Sequence, residues 1–232
     1  MAPDKRQRIS LFPLALALCV ALTAFVPLLH GQDSEWAKRN AWQRPAEVMD
    51  ALGVKQGSVV ADVGAGGGYF TFHLAARVGP AGKVYAEDVS DSELERIRKR
   101  ASDKQLIQIA TILGTPRDPR LPAEALDAVL VVNAYHEFLE YDAMMQAMYR
   151  ALKPGGLLAI IDAADAPGES RKTYQHRHRL PSQIVREDAD RNGFRFAQEL
   201  PGFDGGDSDR KYYFLLFSKP EPSPAKVPGP AR

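Results

Sequence analysis

Apolar and polar positions along this chain change repeatedly between two periods. Short apolar runs predict strands at 59–63, 83–87, 106–113, 127–132 and 157–161. Between them, apolar residues recur three and four positions apart and predict helices at 34–53, 69–78, 90–104 and 141–152. This alternation of strands with helices predicts an α/β domain with parallel strands.

The pattern becomes less regular after residue 162. The basic run 163–180 predicts a loop or short helix over a site, and residues 181–192 predict a further helix. Two more strands are expected at 194–199 and 212–218. Residues 204–209, rich in Asp and Gly, predict a hairpin turn, because they lack the spacing and terminal Glu of a calcium loop. From residue 219 onward the Pro-rich sequence predicts a disordered tail.

The first 32 residues follow a different pattern from the rest of the chain. Lys5, Arg6 and Arg8 precede an almost uncharged run at 9–29. A basic segment followed by an apolar one predicts a secretory signal peptide. The run is also just long enough to cross a bilayer, so an uncleaved membrane anchor is the alternative. We therefore expect a domain at 33–218 that is exported or anchored at the cell envelope, with an anchored form facing the cytoplasm as the alternative.

Composition narrows the class of protein. A chain of 232 residues with 45% hydrophobic residues can form one good core, and its length suggests one domain. A net charge of +1 argues against a nucleic-acid partner, whose binding domains are usually strongly basic. The single cysteine, Cys19, lies in the N-terminal apolar run, so the folded part has no thiol for a disulfide or for catalysis.

A glycine-rich turn follows the first predicted strand. Asp62 lies near the end of that strand, and glycines occupy four of the five positions 64–68. Such a turn before a helix brings backbone N–H groups and a helix N-terminus against a ligand. A phosphate-cradling loop would need Lys and Ser/Thr at the end of the turn, and a dinucleotide fingerprint would need glycine where Tyr69 stands. The remaining pattern is acid-x-Gly-x-Gly-x-Gly.

The charge of Asp62 indicates which ligand this turn binds. A carboxylate here would repel a pyrophosphate, but it suits a ligand that carries an ammonium and a sulfonium group. S-adenosylmethionine carries both, so the turn predicts this cofactor and disfavours a nicotinamide oxidoreductase. A structural turn with incidental glycines is the alternative, although glycine clusters mark close backbone approach.

Two further acids follow predicted strands. Asp88 ends the second strand, where an acid can accept both ribose hydroxyls of an adenosine; Glu87 is the fallback, and a helix-capping role for Asp88 is the alternative. Asp118 lies in the loop after the third strand. It could accept the adenine amino group or cap its own turn.

Polar and aromatic residues crowd the end of the fourth strand, where ligands bind in this architecture. We expect Asn133 to contact the cofactor and Tyr135 to contact the substrate. His136 is the expected general base, oriented by Glu137 or a residue of the basic run.

The basic run supplies candidate substrate contacts at His176, His178 and Arg179. His176 and His178 could bind a metal together with His136 or Asp162, but their spacing does not demand one, so we expect no metal.

Three segments in this order resemble the class I S-adenosylmethionine-dependent methyltransferases. They are Val-Ala-Asp-Val-Gly-Ala-Gly-Gly-Gly at 60–68, Gly-Lys-Val-Tyr-Ala-Glu-Asp at 82–88 and Leu-Lys-Pro-Gly-Gly at 152–156. More narrowly, the chain looks like the small-molecule group that includes the ubiquinone and menaquinone biosynthesis methyltransferases, and the resemblance covers about residues 45–218. The resemblance implies a Rossmann-like, doubly wound sheet of seven strands, mainly parallel, with the last strand antiparallel. It also implies that S-adenosylmethionine is held by Asp62, Asp88 and the turn residues Gly64, Ala65, Gly66, Gly68 and Tyr69.

The expected function is therefore methyl transfer from S-adenosylmethionine to a small-molecule acceptor. The alternative is a non-catalytic protein of the cell envelope that binds this cofactor or another metabolite. Location is the reason for considering this alternative, because the cofactor is made in the cytoplasm whereas the N-terminal segment predicts a place at the cell envelope.

Overall fold

The computed structural model describes residues 30–203 and 210–222. The predicted signal or anchor at 9–29, the hairpin turn at 204–209 and most of the Pro-rich tail lie outside these residues. Within the described ranges, no helix combines the length and the apolar character that crossing a bilayer requires. From Arg39 onward the described chain belongs to one compact unit.

The helices follow the predicted pattern closely. They are α1 (His30–Gln43), α2 (Pro45–Ala51), α3 (Tyr69–Val78), α4 (Asp91–Asp103), α5 (Tyr141–Ala151), α6 (Arg171–Arg177) and α7 (Ser182–Arg191), with a short 3-10 helix at Tyr135–Glu137. The helix predicted at 34–53 is interrupted at Arg44, whose φ of 43° is left-handed, and it restarts at Pro45 as expected.

The strands form one sheet. They are β1 (Val59–Val63), β2 (Lys83–Asp88), β3 (Ile109–Leu113), β4 (Leu126–Val132), β5 (Leu152–Ala163), β6 (Arg195–Leu200) and β7 (Tyr212–Ser218). Their order is β3-β2-β1-β4-β5-β7-β6, and β7 runs antiparallel to both of its neighbours. The predicted fold class is confirmed.

The strand order creates a crevice at the centre of the sheet. From β1 the chain winds outward through β2 to β3, then returns to the other side of β1 and continues through β4 to β5. The connections therefore diverge between β1 and β4. In open α/β sheets ligands bind at this switch point, beyond the carboxyl ends of the strands.

The apolar residues that recur three and four positions apart on the helices are the ones that pack into the core. On α5, Met144, Met145 and Met148 are buried in the main hydrophobic cluster, so they pack the core. On α4, Leu94 and Ile97 are fully buried while the charged residues of the same helix face outward.

The fifth strand differs from its prediction. The sequence predicts a sharp turn at 153–156, but β5 begins at Leu152 and includes these residues as an irregularity in its pairing with β4. The reason lies further along the chain, because Lys219 pairs with this segment through Gly155 N–H to Lys219 O (2.9 Å) and Lys219 N–H to Gly156 O (2.9 Å). Lys219, expected to begin the disordered tail, is therefore buried.

Candidate functional site

The glycine turn after β1 is fastened to the end of β2. The N–H of Ala65 donates to the carbonyl oxygen of Glu87 (2.9 Å), and the N–H of Gly66 donates to Asp88 Oδ2 (2.8 Å). Gly64 has a φ of 71°, and a Cβ added to it would lie 2.4 Å from the Cβ of Ala134, beyond the end of β4. Both the conformation and the close approach therefore require glycine at position 64.

A cavity of about 380 Å³ opens where these strand ends meet. Its wall includes the glycine turn, the end of β2, the loop after β3 and the segment after β4. It is lined by Gly64, Gly66, Glu87, Asp88, Val89, Thr115, Pro116, Asn133, Ala134, Glu137, Phe138, Leu139 and Met144. Its size falls within the range of small-molecule and cofactor sites, and its mixture of apolar walls with a few polar groups is typical of them.

A second depression, of about 420 Å³, lies against α4 and the amino end of β3 and is lined by residues such as Arg98, Gln105 and Ile109. It is distant from the switch point between β1 and β4 and includes no part of the glycine turn. We therefore assign the site to the cavity at the carboxyl ends of the strands.

Asp88 lies at the cavity wall, at the position expected for a ribose acceptor. One carboxylate oxygen holds the glycine turn, and the other accepts the N–H of Ser90 (2.8 Å) at the start of α4. Asp88 thus contacts the start of α4 and lies at the cavity wall at the same time. A helix-capping role and a role as ribose acceptor are therefore compatible. Each carboxylate oxygen has a second lone pair that can accept from a ligand hydroxyl.

Glu87, the fallback to Asp88 as the expected ribose acceptor, also lines the cavity. Its side chain is buried, and burial raises its pKa to about 8. Oε2 accepts the N–H of Gly64 (3.4 Å), whereas Oε1 has no hydrogen-bond partner among the described residues. Gly114 passes so close to this carboxyl that an added Cβ would lie 1.8 Å from Oε1. Glu87 thus contributes to the cavity wall a buried carboxyl whose Oε1 is unpaired among the described residues and is itself shielded from solvent.

Asp62 lies behind the turn instead of on the cavity wall. It is buried, and its Oδ2 accepts the hydroxyl proton of Thr71 on α3 (2.6 Å). Burial raises the pKa of Asp62 to about 6, against the opposing effects of the Thr71 hydrogen bond and the charge of Arg39. Asp62 is thus not among the residues that line the cavity, and its direct contact with a cationic ligand stays a prediction.

Tyr69, the first residue of α3, packs beneath the end of α1. Its hydroxyl donates to Asn40 Oδ1 (2.5 Å), and the guanidinium of Arg39 lies 4.0 Å from the centre of its ring. The ring is buried, and burial raises the pKa of its hydroxyl to about 12. Gly68, just before it, has a φ of 84° at the N-cap of α3 and faces Ile97 of α4.

His136 is oriented by a residue that the sequence analysis did not assign to this role. Its Nδ1 lies 2.7 Å from Asp162 Oδ1, and its backbone N–H donates to Asp162 Oδ2 (3.0 Å). Asp162, at the end of β5, is fully buried. Burial lowers the pKa of His136, but the hydrogen bond and charge of Asp162 outweigh this, so the net pKa is raised.

Glu137 and His178 complete a cluster around His136. His178 Nδ1 lies 3.3 Å from His136 Nε2, and Glu137 Oε1 lies 3.6 Å from the same nitrogen. Glu137 was expected to orient His136, and it instead faces the ring nitrogen opposite the one that Asp162 holds. Because Glu137 also lines the cavity, the cluster lies beside the cavity wall.

The remaining predicted residues are separated from this cluster. The expected substrate contact of Tyr135 is wrong. Its side chain is buried in the core, where its hydroxyl donates to Asp188 (2.8 Å) on α7, because the 3-10 helix turns this ring inward.

The Asp118 carboxylate accepts the N–H of Arg120 (2.8 Å), as the turn-capping alternative predicts. His176 is exposed on α6 and lies outside the cluster of His136, and Arg179 follows the end of that helix. Asn133 does line the cavity, with a left-handed φ of 53°.

The sheet order, the glycine turn and the acids at the end of β2 can now be compared with known proteins. Residues 60–156 match a methyltransferase domain family. The match includes β1 to β4, the glycine turn and the segment that carries His136. A demethylmenaquinone methyltransferase of Listeria monocytogenes serotype 4a is 30% identical over 123 residues, which are 53% of this chain and 51% of that protein. The chain thus spans about half the length of the curated relatives that it matches.

Solved structures share the fold over a longer part of the chain. A SAM-dependent methyltransferase from Aquifex aeolicus superposes with a TM-score of 0.66 at 23% identity, covering 80% of this chain and 97% of that one. The [4+2]-cyclase SpnF superposes with the same TM-score at 17% identity, covering 79% of this chain and 83% of that one. The fold is therefore the one that these proteins share, and the reaction has to be argued from the site.

Proposed function

We propose that this chain transfers a methyl group from S-adenosylmethionine to a small-molecule acceptor. The observation that carries the proposal is one cavity whose wall joins the glycine turn, the acids at the end of β2 and Glu137, next to the paired His136 and Asp162. The methyltransferase domain match over 60–156 and the demethylmenaquinone methyltransferase relative support the same reaction.

The hydrogen-bonding groups of the cavity fit this cofactor. Asp88 offers carboxylate lone pairs for ribose hydroxyls, and the unpaired Oε1 of Glu87 lies at the same end of the cavity. The turn at Gly64 and Gly66 brings backbone close to the ligand without side chains between them. The Asp88 carboxylate at this wall disfavours the pyrophosphate of a dinucleotide, because like charges repel across a few ångströms.

Methyl transfer needs alignment and a proton acceptor. When bound, the cofactor would supply an electrophilic methyl group for the acceptor atom, and its sulfur would keep the electron pair of the carbon–sulfur bond. His136 takes the proton that the acceptor loses, and later releases it to solvent. Asp162 keeps the Nδ1 proton of His136 in place, so that Nε2 carries the lone pair that can accept a proton.

The apolar part of the wall indicates the character of the acceptor. Ala134, Phe138, Leu139 and Met144 line the cavity on the side of the segment after β4. Such a wall binds an apolar body, while the acidic end of the cavity holds the cofactor. We therefore propose an acceptor with an apolar ring or chain that carries the group to be methylated.

We also propose that residues 1–32 direct or anchor the chain at the cell envelope. The order of Lys5, Arg6 and Arg8 followed by the apolar run 9–29 supports this proposal. Cell fractionation followed by sequencing of the mature N-terminus tests it. A soluble cytoplasmic protein that begins at Met1 would contradict both export and anchoring.

The proposed activity is tested with purified protein, a methyl-labelled cofactor and a panel of small acceptors that includes reduced quinones. We expect label transfer to at least one acceptor and a loss of about 100-fold or more in kcat for His136→Ala. Unchanged binding of S-adenosylhomocysteine by that variant is the control for folding. Tight cofactor binding without transfer to any acceptor class would favour the non-catalytic binding protein instead.

A further inference from the structure

Three potential ligand atoms form a nearly equilateral triangle beside the cavity. The edges are 3.3 Å from His136 Nε2 to His178 Nδ1, 3.6 Å from His136 Nε2 to Glu137 Oε1, and 3.5 Å from His178 Nδ1 to Glu137 Oε1. Two imidazole nitrogens and one carboxylate oxygen thus face a common point. They come from the 3-10 helix after β4 and from the residue that ends α6.

These distances match the ligand spacing of a tetrahedral metal ion. Metal–ligand bonds of about 2.0–2.1 Å at tetrahedral angles separate neighbouring ligands by about 3.4 Å. An ion placed slightly above the centre of the observed triangle would therefore satisfy all three bonds without moving a side chain far. The fourth position would be left for water or another small ligand, as in catalytic zinc sites with three protein ligands.

The environment of His136 is also that of a metal ligand. Asp162 accepts from Nδ1–H at 2.7 Å and is itself held by the N–H groups of His136 and Ala163. A buried carboxylate behind the imidazole fixes the tautomer in which Nε2 carries the lone pair, and it increases the basicity of that nitrogen. Hydrogen bonding thus points the lone pair of His136 toward the other two ligands.

His178 is held in place by the backbone around it. It is the C-cap of α6 with φ 51° and ψ 47°, an uncommon conformation for a residue other than glycine. Gln175 on the same helix donates from Nε2 to the carbonyl oxygen of Phe138 (3.2 Å) and so ties α6 to the segment that carries His136. The side chains of His178 and Glu137 are 60% and 63% exposed, so an ion can enter from solvent.

We propose that His136, Glu137 and His178 form a binding site for a divalent transition metal ion, with zinc as the best match in geometry and ligand type. Two neutral imidazoles and one carboxylate are ligands that zinc and its neighbours in the first row prefer over magnesium or calcium. The sequence offered His176 and His178 with His136 or Asp162 as possible ligands and favoured no metal. His176 lies outside the triangle, and Asp162 lies behind it.

A metal ion bound at this site would inhibit the proposed methyl transfer. This consequence, unlike the metal site itself, rests on the proposed function. The Nε2 atom of His136 has one lone pair, which binds either a proton or a metal ion. A bound metal ion therefore removes His136 as the proton acceptor in methyl transfer, and a chelator restores it. Metal binding itself does not depend on whether the chain is a methyltransferase.

The site is tested by titrating the metal-free full chain with Co²⁺ and Zn²⁺, using the visible absorption of tetrahedral Co²⁺ and calorimetry. We expect one ion per chain, and at least a 10-fold loss of affinity in His178→Ala and Glu137→Gln. Asp162→Asn is expected to weaken binding about 10–100-fold by changing the orientation of His136. His176→Ala is the matched control, a histidine on the same helix whose loss leaves affinity unchanged.

Two results would overturn the site. One is the absence of tetrahedral Co²⁺ absorption at millimolar metal. The other is binding that survives His178→Ala, or that His176→Ala removes. Thermal unfolding and circular dichroism of each variant serve as the folding control. Binding of S-adenosylhomocysteine by the wild type is measured separately and reports on the proposed function independently of the metal result.

Discussion

At the scale of single residues, the chemistry of the site is concentrated on the imidazole of His136. Asp162 holds one ring nitrogen, while Glu137 and His178 face the other. One nitrogen is thereby fixed as a donor, and the other is left to accept a proton or bind a metal ion. Asp162 lies 26 residues away in sequence, yet the adjacency of β4 and β5 places it against His136.

Replacing Asp162 should change the pH dependence of the reaction. Its hydrogen bond and charge raise the pKa of His136 against the opposing effect of burial. A base works when deprotonated, so kcat should rise with pH through a midpoint above 6.5, the ordinary pKa of histidine. Asp162→Asn removes the charge of Asp162 and leaves burial opposed only by the nearby charge of Glu137, so the midpoint should fall by about one pH unit or more. A pH–rate profile in chelator measures this, and an unchanged midpoint would contradict the pairing.

Glu87 should make the stability of the fold depend on pH. Its pKa rises from 4.5 to about 8 on folding. Between these values the unfolded chain loses the proton that the folded chain keeps, so the free energy of unfolding falls as pH rises and levels off above pH 8. Glu87→Gln should match the wild type near pH 4 and exceed it at pH 9, by up to about 5 kcal/mol at 1.36 kcal/mol per pKa unit.

Urea unfolding at the two pH values measures this difference. Glu47→Gln, at an exposed carboxyl, serves as the control for the general effect of replacing a glutamate by glutamine. A Glu87→Gln protein with the same stability as the wild type at both pH values would show that this carboxyl is charged in the fold.

At the scale of elements, the close approach of two loops shapes the cavity. The turn after β1 and the segment after β4 meet at Gly64 and Ala134. Since these strands are neighbours at the switch point, the contact determines how closely the glycine turn approaches a bound ligand.

Gly64→Ala should reduce the stability of the fold. The new Cβ would meet Ala134 at 2.4 Å, and the φ of 71° adds strain of about 1–3 kcal/mol. Gly66→Ala is the matched control, because its φ of 51° is also left-handed but nothing lies within 4 Å of an added Cβ. Thermal unfolding should show a larger loss for Gly64→Ala, partly recovered in the double variant with Ala134→Gly. Equal losses at both positions would contradict the importance of the contact.

Asp188 on α7 connects the elements around the site. It is buried, accepts from Tyr135 (2.8 Å) and Arg191 (2.7 Å), and pairs with Arg171 on α6. Asp188→Ala should destabilise the fold by about 3–5 kcal/mol, because buried hydrogen-bond donors lose their charged partner. Tyr135→Phe removes one of these bonds and should reduce stability by about 1 kcal/mol. Denaturant unfolding compares them, and similar losses would show that the charge of Asp188 is unimportant.

At the scale of the whole molecule, periodicity and a few motifs were enough to predict the α/β fold. Apolar runs such as the one in β4 are buried on both faces, and the glycine turn marks the ligand end of the sheet. Contacts between residues distant in sequence were not predictable in this way. The pairing of His136 with Asp162 and of Lys219 with β5 depends on which strands become neighbours. The sequence also does not indicate which side of the 3-10 helix faces the core, and the buried Tyr135 shows this in the structure.

The central claim is that the cavity beside the glycine turn binds S-adenosylmethionine. Calorimetry on the full chain with S-adenosylhomocysteine and, separately, with NAD⁺ tests it most directly. We expect one molecule of S-adenosylhomocysteine to bind per chain, with a loss of about 10-fold or more in Asp88→Ala and little change in Asp118→Ala, whose carboxylate caps its own turn. Binding of NAD⁺ in preference, or no binding of S-adenosylhomocysteine by the folded chain, would contradict the account.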